Sequence, residues 1–325
     1  MAGRDILREK IKILVLVGPT ASGKTALSVK LAKALNGEII SADSMQIYKG
    51  MDIATAKPSI EEREGIPHHL MDFLEPSENY SVAHFVDDAK RVSQDIAYRG
   101  KLPIVAGGTG LYVDSLINGI SFSEGDTDFE YRASLLKRLE EEGIDKLLAE
   151  LKAIDPDAFE KLAPQRNPKR IIRALEVFHT TGITFSEQNR ISREVPSEFN
   201  EVIIGLNFRD REKLYDRINC RVDLMMDMGL LFEAEKYFSA DLGVTSSQAI
   251  GYKELKPYPD GLKSLDDCVE TLKQSTRRYA KRQLTWFRRN ENIKWFYVDD
   301  YENEEILFDD VIKYLVLEGF EINEA

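Results

Sequence analysis

The first third of the chain alternates between short apolar runs and amphipathic stretches of helical period. Short apolar runs bounded by turn residues are typical of buried strands, whereas apolar residues at spacings of three and four are typical of helices. The pattern predicts strands at residues 11–17, 38–42 and 103–106 and helices at residues 24–35 and 82–99. Strands that alternate with helices in this way favour a parallel sheet with crossover helices.

The pattern changes in the middle of the chain. Residues 128–188 are highly charged, helical in period and without a clear strand. The predicted apolar stripe of this region consists of Leu135, Leu136, Leu139, Leu147 and Leu148. Residues 201–207 predict a further strand, and long helices follow until a last apolar run at 293–298. We therefore expect the first part of an α/β core at 1–120, a helical insertion that binds a partner at 121–200, and a return to the core with basic helices at 201–325.

A glycine-rich loop lies directly between the first predicted strand and the first predicted helix. Its residues are Gly18, Pro19, Thr20, Ala21, Ser22, Gly23, Lys24 and Thr25. Such a loop lets backbone N–H groups surround phosphate oxygens, while its lysine adds positive charge and its threonine hydroxyl suits Mg²⁺. The sequence therefore predicts an α/β fold with a P-loop NTPase-like parallel sheet core, a helical insertion domain and a helical C-terminal region. The loop alone leaves open which phosphate it binds.

Charge is distributed unevenly along the 325 residues, which carry a net charge of −12. Residues 161–173 contain five basic residues and residues 271–290 contain seven, and neither tract contains an acidic residue. In the second tract six basic residues fall at spacings of four and seven, which gathers them into one stripe of a helix. An acidic body with two positive faces favours a large polyanion as partner, although an exposed basic helix paired with that body is the alternative.

Neither a membrane nor an oxidising compartment is indicated. No apolar stretch approaches the roughly 20 residues of a membrane span, and the amino terminus lacks the apolar segment of a signal peptide. Cys220 and Cys268 are isolated and show no metal-ligand spacing. We expect a cytoplasmic protein with two reduced thiols.

Two further residues are predicted at the edge of the sheet that faces the glycine-rich loop. Asp43 ends the second predicted strand, where its carboxylate is a candidate general base or metal partner, or else a cap of the next turn. The third strand ends in Gly107, Gly108, Thr109 and Gly110, where a nucleotide hydrolase often has an acid for Mg²⁺. The missing acid argues against hydrolysis of a nucleoside triphosphate.

Other polar residues are less specific in sequence. Arg217 and Arg221 share a helix face and would reach a diphosphate together if that helix lies against the loop. His68 and His69 have no third ligand at useful spacing, so we interpret them as structural or adjacent to a substrate rather than as a metal site.

Seven segments between about residues 12 and 297 resemble the bacterial tRNA dimethylallyltransferases in the same order. They are GPTASGKT, ISADSMQIYKGMDIATAKP, PHHLMDFLEP, VAGGTGLYVDSL, NPKRIIRALEV, SQAIGYKEL and RRYAKRQLTWFRR. The resemblance implies transfer of a dimethylallyl group from dimethylallyl diphosphate to N6 of the adenosine on the 3′ side of the anticodon, in tRNAs that read codons beginning with U. It also implies Mg²⁺ as cofactor, the tRNA anticodon stem-loop as partner and a monomeric enzyme.

The resemblance also implies roles for individual residues. Residues 18–25 look like the diphosphate cradle with Thr25 on the metal, and Asp43, Thr109 and Arg221 look like the catalytic group, with Asp43 accepting the N6 proton. The implied tRNA contacts are Asp43, Ser44, Met45, Gln46, Thr109, Arg132, Lys169, Arg170, Ile171, Ile172, Arg173, Gln248, Ala249, Ile250, Gly251, Tyr252 and Lys253. A relative carries Arg where this chain has Gln248, which predicts a weaker contact there.

Three other functions are compatible with parts of the sequence. A soluble adenylate dimethylallyltransferase would share the loop and Asp43 but needs neither basic tract. A small-molecule kinase would use the loop for ATP. A regulatory RNA-binding module would bind tRNA with salt-sensitive affinity and show no turnover.

Overall fold

The computed structural model describes residues 10–119, 128–194 and 196–323. Within these residues a six-stranded sheet contains β1 (Ile11–Val17), β2 (Gly37–Ser41), β3 (His68–His69), β4 (Leu102–Gly107), β5 (Phe199–Asn207) and β6 (Lys294–Tyr297). Every pair of neighbouring strands is parallel, in the order β3-β2-β4-β1-β5-β6. The predicted parallel α/β core is therefore confirmed.

The described residues form two compact units. The sheet unit, residues 10–117 and 198–323, contains α1 (Lys24–Ala34), α2 (Ile60–Arg63), α3 (Val82–Tyr98), α4 (Gly110–Ile117), α10 (Arg211–Asp227), α11 (Leu230–Glu235), α12 (Tyr252–Leu255), α13 (Leu265–Phe287) and α14 (Glu304–Leu317). The helical unit, the described residues of 118–197, contains α5 (Phe129–Glu142), α6 (Ile144–Ile154), α7 (Pro156–Leu162), α8 (Pro168–Thr181) and α9 (Phe185–Glu194).

The central strand of the sheet unit is apolar on both faces. Residues 13–17 of β1 are fully buried, as expected for a parallel strand with helices on both sides of the sheet. One of its faces contacts α1 and α14 through a common apolar cluster that includes Leu16, Leu31 and Val311. Burial of a leucine-sized side chain stabilises a fold by about 1.5–3 kcal/mol, so this cluster fixes β1 and the loop that follows it.

The helical unit has a core of its own. Leu135, Leu147, Leu148, Ile171 and Ile172 are buried in one cluster. The side chains of Asp128 and Asn167 cap the first turns of α5 and α8 by accepting backbone N–H groups, which is what these residue types favour.

One residue of the predicted apolar stripe does not belong to that core. Leu136 is 46% exposed, and its assignment to the stripe is wrong. It follows Leu135 directly, and adjacent residues on a helix point in directions about 100° apart.

Most predicted boundaries of the sheet unit agree with the structure to within two residues. One strand, β3, was not predicted, and it contains only His68 and His69. A strand this short has no periodicity, and it exists because its backbone pairs with Ile39 and Ile40 of β2. No described helix is both long and apolar enough to cross a membrane, and Cys220 and Cys268 are free thiols.

Candidate active site

A cavity of about 390 Å³ lies in the sheet unit at the carboxyl ends of β1, β2 and β4. This is where ligands bind in open α/β sheets. Thr20, Lys24 and Thr25 of the glycine-rich loop, Asp43 beyond β2 and Arg221 of α10 all line it. The structure therefore brings together the predicted phosphate cradle, the predicted carboxylate and one predicted arginine.

The glycine-rich loop connects β1 to α1 through a tight turn. Gly23 has a φ angle of 92° and is the residue before the first turn of α1, a conformation that favours glycine because a Cβ atom would be strained. The first backbone N–H groups of α1 have no partner within the helix and, with the helix dipole, favour an anion at this end. The local geometry fits a phosphate-binding loop.

Lys24 has a lowered pKa, so its positive charge is lost more easily than that of an exposed lysine. Its Nζ donates to the backbone oxygen of Pro19 at 2.7 Å. Burial and the positive charge of Arg221 lower the pKa of Lys24 to about 7, although the negative charge of Asp43 opposes this shift. Burial likewise lowers the pKa of Arg221. Lys24 and Arg221 are two desolvated cations beside one carboxylate. A bound polyanion would stabilise the charged forms of both side chains.

Asp43 combines the two properties that the sequence left as alternatives. Its Oδ1 accepts the backbone N–H of Met45 at 2.9 Å, so it does cap the turn that follows β2. Burial raises the pKa of its carboxyl group, opposed by that hydrogen bond and by the charge of Lys24. A capping carboxylate with a raised pKa is also a better proton acceptor than an exposed aspartate.

Thr109 ties the turn after β4 to the turn after β2. Its backbone N–H donates to the oxygen of Ala42 at 3.1 Å, and its Oγ1 accepts the N–H of Ser44 at 3.0 Å. A Cβ atom on Gly107 would lie 2.2 Å from the oxygen of Ala42, so only glycine permits this approach. Thr109 thereby fixes the backbone on both sides of Asp43.

Arg217 and Arg221, four residues apart on α10, do lie against the glycine-rich loop. Arg217 Nε donates to the oxygen of Ala21 at 3.0 Å, and its guanidinium lies over the ring of Phe208. Arg221 lines the cavity. The two predicted arginines therefore have different roles. Arg217 fixes the glycine-rich loop, and Arg221 faces the cavity.

Part of the cavity wall is apolar. Its contributing side chains include Ile218, Val222 and Met225 of α10, Leu230 of α11 and Leu272 of α13. The cavity therefore joins a cationic end at the glycine-rich loop to hydrocarbon, which suits a ligand with both an anionic and an apolar part.

The predicted RNA-contact residues fall into several environments. In the sheet unit, the residues that line the cavity are Asp43, Ser44, Met45, Gln46, Gln248, Ala249, Ile250 and Lys253. Gly251 and Tyr252 are buried. The amide of Gln46 accepts from Ser41 Oγ at 3.0 Å and donates to the oxygens of Thr55 and Ala56 at 3.2 Å. Gln46 thus has protein partners and supports the 55–56 backbone.

In the helical unit, the predicted contacts separate by burial. Lys169, Arg170 and Arg173 are exposed, whereas the side chains of Ile171 and Ile172 lie in the core, which leaves only their backbone for contact. Arg132 is held by the buried carboxylate of Glu176 at 3.2 and 3.3 Å.

The basic helix α13 presents cations to solvent. Arg278, Lys281 and Arg282 are exposed, and across the ranges that the structure describes none of the three forms an ion pair with a carboxylate. Exposed cations without acidic partners favour phosphate contact over the alternative of a helix paired with the acidic body.

Glu233 was not identified from sequence. It is 5% exposed and accepts the backbone N–H groups of Asp52, Ile53 and Ala54 at 2.8–2.9 Å and the hydroxyl of Tyr252 at 2.9 Å. It thereby fixes the loop that contributes Ala54 to the cavity. No local pattern marks this residue, because all four donors are distant in sequence.

The fold and the site together define an α/β protein with a P-loop-type site, in which one cavity joins a cationic end to an apolar wall. The family model described as IPP transferase matches residues 46–290, and the model described as Isopentenyl transferase matches residues 11–72. Because the first covers most of the sequence, the chain belongs to the IPP transferase family.

Individual proteins that are similar to this chain support the same family assignment. A tRNA dimethylallyltransferase of Acetivibrio thermocellus is 50% identical over 309 residues, which cover 94% of this chain and 98% of the relative. The crystal structure of a full-length tRNA isopentenylpyrophosphate transferase from Bacillus halodurans is similar with a TM-score of 0.69 and 45% identity, covering 94% of this chain and 96% of that one. A eukaryotic dimethylallyltransferase acting on tRNA is similar with a TM-score of 0.78 and 32% identity, covering 96% and 81%.

Proposed function

We propose that this protein transfers a dimethylallyl group from dimethylallyl diphosphate to tRNA, at N6 of the adenosine on the 3′ side of the anticodon. Family membership and the names of the relatives support dimethylallyl transfer to tRNA. The observation that carries the assignment for this chain is the composition of one cavity. It combines a phosphate-binding loop, an apolar wall and a carboxylate with a raised pKa.

The proposed step is a substitution at the allylic carbon. The N6–C1 bond forms as the C1–O bond to the diphosphate breaks, the N6 proton passes to Asp43, and diphosphate leaves. The amine of adenine is a weak nucleophile because its lone pair is delocalised into the ring, so the step needs a base and a stabilised leaving group. The raised pKa of Asp43 suits the first need. Lys24 and Arg221 suit the second, since positive charge offsets the charge that develops on the leaving oxygen.

Mg²⁺ fits this site only together with the substrate. The described residues contain no group of three or more His, Cys, Asp or Glu side chains suited to hold a metal. Mg²⁺ is commonly bound by one or two protein oxygens with substrate phosphates and water, and the Thr25 hydroxyl at the cavity provides one. We propose that Thr25 contributes the protein ligand, and that the bound ion neutralises diphosphate charge.

The adenosine has to leave the anticodon stack to enter a cavity at the end of a sheet. Enzymes that modify bases commonly extrude their target, at a cost of a few kcal/mol that is smallest where the base is already unpaired. An adenosine beside the anticodon lies in a single-stranded loop. The exposed basic residues of α13 offer contacts to RNA phosphates, as do those of α8 in the helical unit. We also predict that the protein is cytoplasmic and monomeric.

The test offers labelled dimethylallyl diphosphate together with unmodified tRNA, AMP or ADP, followed by analysis of the nucleosides. We expect N6-dimethylallyladenosine from tRNA alone, and none from an anticodon stem-loop in which that adenosine is guanosine. Label in AMP or ADP without tRNA would replace the proposal by a soluble adenylate prenyltransferase. Transfer of the ATP γ-phosphate to an acceptor without any prenylation would replace it by a kinase, and tRNA binding without turnover would leave an RNA-binding module.

A further inference from the structure

Gln283 of α13 is a buried polar residue that lies between the two glycine-containing loops of the site. Its side chain is inside the fold, with 5% of the residue exposed. Its Oε1 accepts the backbone N–H of Thr20 at 2.8 Å, and its Nε2 donates to the backbone oxygen of Gly108 at 3.0 Å. We infer that Gln283 is a positioning residue that sets the spacing between the phosphate-binding loop and the turn after β4.

The two backbone partners require an amide. An N–H can only donate and a carbonyl oxygen can only accept, so the partners determine which way the amide of Gln283 faces. A carboxylate has no donor for the oxygen of Gly108, a hydrocarbon has neither a donor nor an acceptor, and a hydroxyl on a shorter side chain cannot span both atoms. Among side chains of this length, glutamine offers both the donor and the acceptor at every pH.

Gly108 makes room for this amide. A Cβ atom on Gly108 would lie 2.1 Å from Nε2 of Gln283, closer than any non-bonded contact allows. The φ angle of Gly108 is not in the left-handed region, so its backbone conformation does not itself demand glycine. Residues 108 and 283 therefore depend on each other, although 175 positions separate them.

The bridge connects the groups that the reaction needs. Thr20 belongs to the loop that we assign to the diphosphate. On the other side, Gly108 precedes Thr109, whose Oγ1 accepts the N–H of Ser44 beside Asp43. Tyr279, one turn before Gln283 on α13, also lines the cavity. Gln283 thus adds a side-chain bridge to the pairing of β1 with β4, which together set the spacing of the leaving-group site from the proton acceptor, and this inference rests on the proposed function.

The experiment measures binding of inorganic pyrophosphate in the presence of Mg²⁺ to the full chain by titration calorimetry. Gln283→Met keeps the length of the side chain and removes both hydrogen bonds. We expect pyrophosphate binding to weaken by about tenfold, which is a part of the larger cost of leaving two buried backbone groups without partners. Binding of tRNA should change by less than about twofold, because the exposed side chains of α13 are untouched. Gln274→Met, an exposed glutamine on the same helix, is the matched control and should bind pyrophosphate like the wild type.

Gly108→Ala provides a second test that leaves residue 283 unchanged, and a double-mutant cycle extends it. Gly108→Ala should weaken pyrophosphate binding in the wild-type background, because the new methyl group displaces the amide. In a Gln283→Ala background the same change should have little further effect, since the amide is gone. Equal effects of Gly108→Ala in both backgrounds, or unchanged pyrophosphate binding by Gln283→Met, would overturn the inference. Failure of the wild type itself to bind pyrophosphate would instead overturn the proposed function.

Discussion

Two carboxylates at opposite ends of β2 have different partners and opposite pKa shifts. Glu38, near the start of the strand, accepts from Arg99 Nη2 and His69 Nε2 at 2.7 Å and from Lys101 at 2.8 Å. These hydrogen bonds, that of Arg99 above all, hold the pKa of Glu38 far below its usual range. Asp43, just beyond the end of the strand, accepts a backbone N–H from Met45 and has a raised pKa.

The contrast separates a structural carboxylate from a reactive one. A carboxylate with its lone pairs occupied by cations gains little from a further proton, and it stabilises the fold. A carboxylate that is desolvated and only partly satisfied keeps its affinity for a proton, which a general base needs. The carboxylate at the start of β2 thus stabilises the fold, whereas the one beyond its carboxyl end lies at the cavity and is suited to accept a proton.

The largest expected effect comes from removing the reactive carboxylate. Asp43→Asn retains an oxygen that accepts the N–H of Met45, so the turn should persist, but it cannot take up a proton. We expect the turnover number to fall by about 1,000-fold, within the range for loss of a general base. Steady-state prenylation of tRNA measures this, and binding of pyrophosphate and of tRNA should stay close to the wild-type values. A normal turnover number would refute the assigned role.

Removing the structural carboxylate should affect stability instead. Glu38→Gln leaves Arg99, Lys101 and His69 around a neutral amide. Because these three side chains are about one third exposed, the cost in free energy of unfolding should lie below that of a fully buried pair, at about 1–3 kcal/mol. Urea unfolding measures the loss, while the turnover number of the folded variant should be unchanged. A fall in turnover without a fall in stability would end the distinction between the two carboxylates.

Acid should reveal the same difference in the wild type. Because the folded-state pKa of Glu38 is depressed, its contribution is present above its unfolded pKa of about 4.3 and is lost as pH falls toward the folded value. The free energy of unfolding should therefore decrease more steeply below pH ~4 in the wild type than in Glu38→Gln. Parallel curves for the two proteins would contradict the depressed pKa.

A smaller effect is expected from the pH dependence of ligand binding. Lys24 has a pKa of about 7 in the free protein, so above that pH binding of a polyanion requires uptake of a proton. Relative to Lys24→Arg, whose guanidinium keeps its charge, pyrophosphate affinity should fall by up to about tenfold per pH unit above pH 7. Calorimetry at several pH values gives this ratio, and a constant ratio would refute the shifted pKa.

The smallest expected effect extends the comparison to cations. Lys101 is committed to Glu38, whereas Lys281 on α13 is exposed. Lys281→Ala should weaken tRNA binding by about threefold and reduce the slope of log affinity against log salt by about 1, without changing pyrophosphate binding. The control is Lys263→Ala, an exposed lysine just before α13. If both variants behave alike, the basic stripe has no particular role.

The sequence predicted the parts of the site that are local. The glycine-rich loop and Asp43 each follow a recognisable apolar run, and α/β topology alone places the ends of such strands at one edge. Long-range partners were invisible. Glu233 and Gln283 lie in ordinary helical patterns, and their function appears only when distant backbone groups meet their side chains. Leu136 was misassigned because it directly follows Leu135, and adjacent residues on a helix point in directions about 100° apart.

Helix α13 has two faces with different roles, one toward the cavity and one toward solvent. Gln283 faces inward and bridges the loops of the cavity, while Arg278 and Lys281 face solvent. Substitutions on the outer face can therefore be screened as a library without rebuilding the chemistry on the inner one. That separation offers a protein engineer a route to redirect the enzyme toward other RNAs.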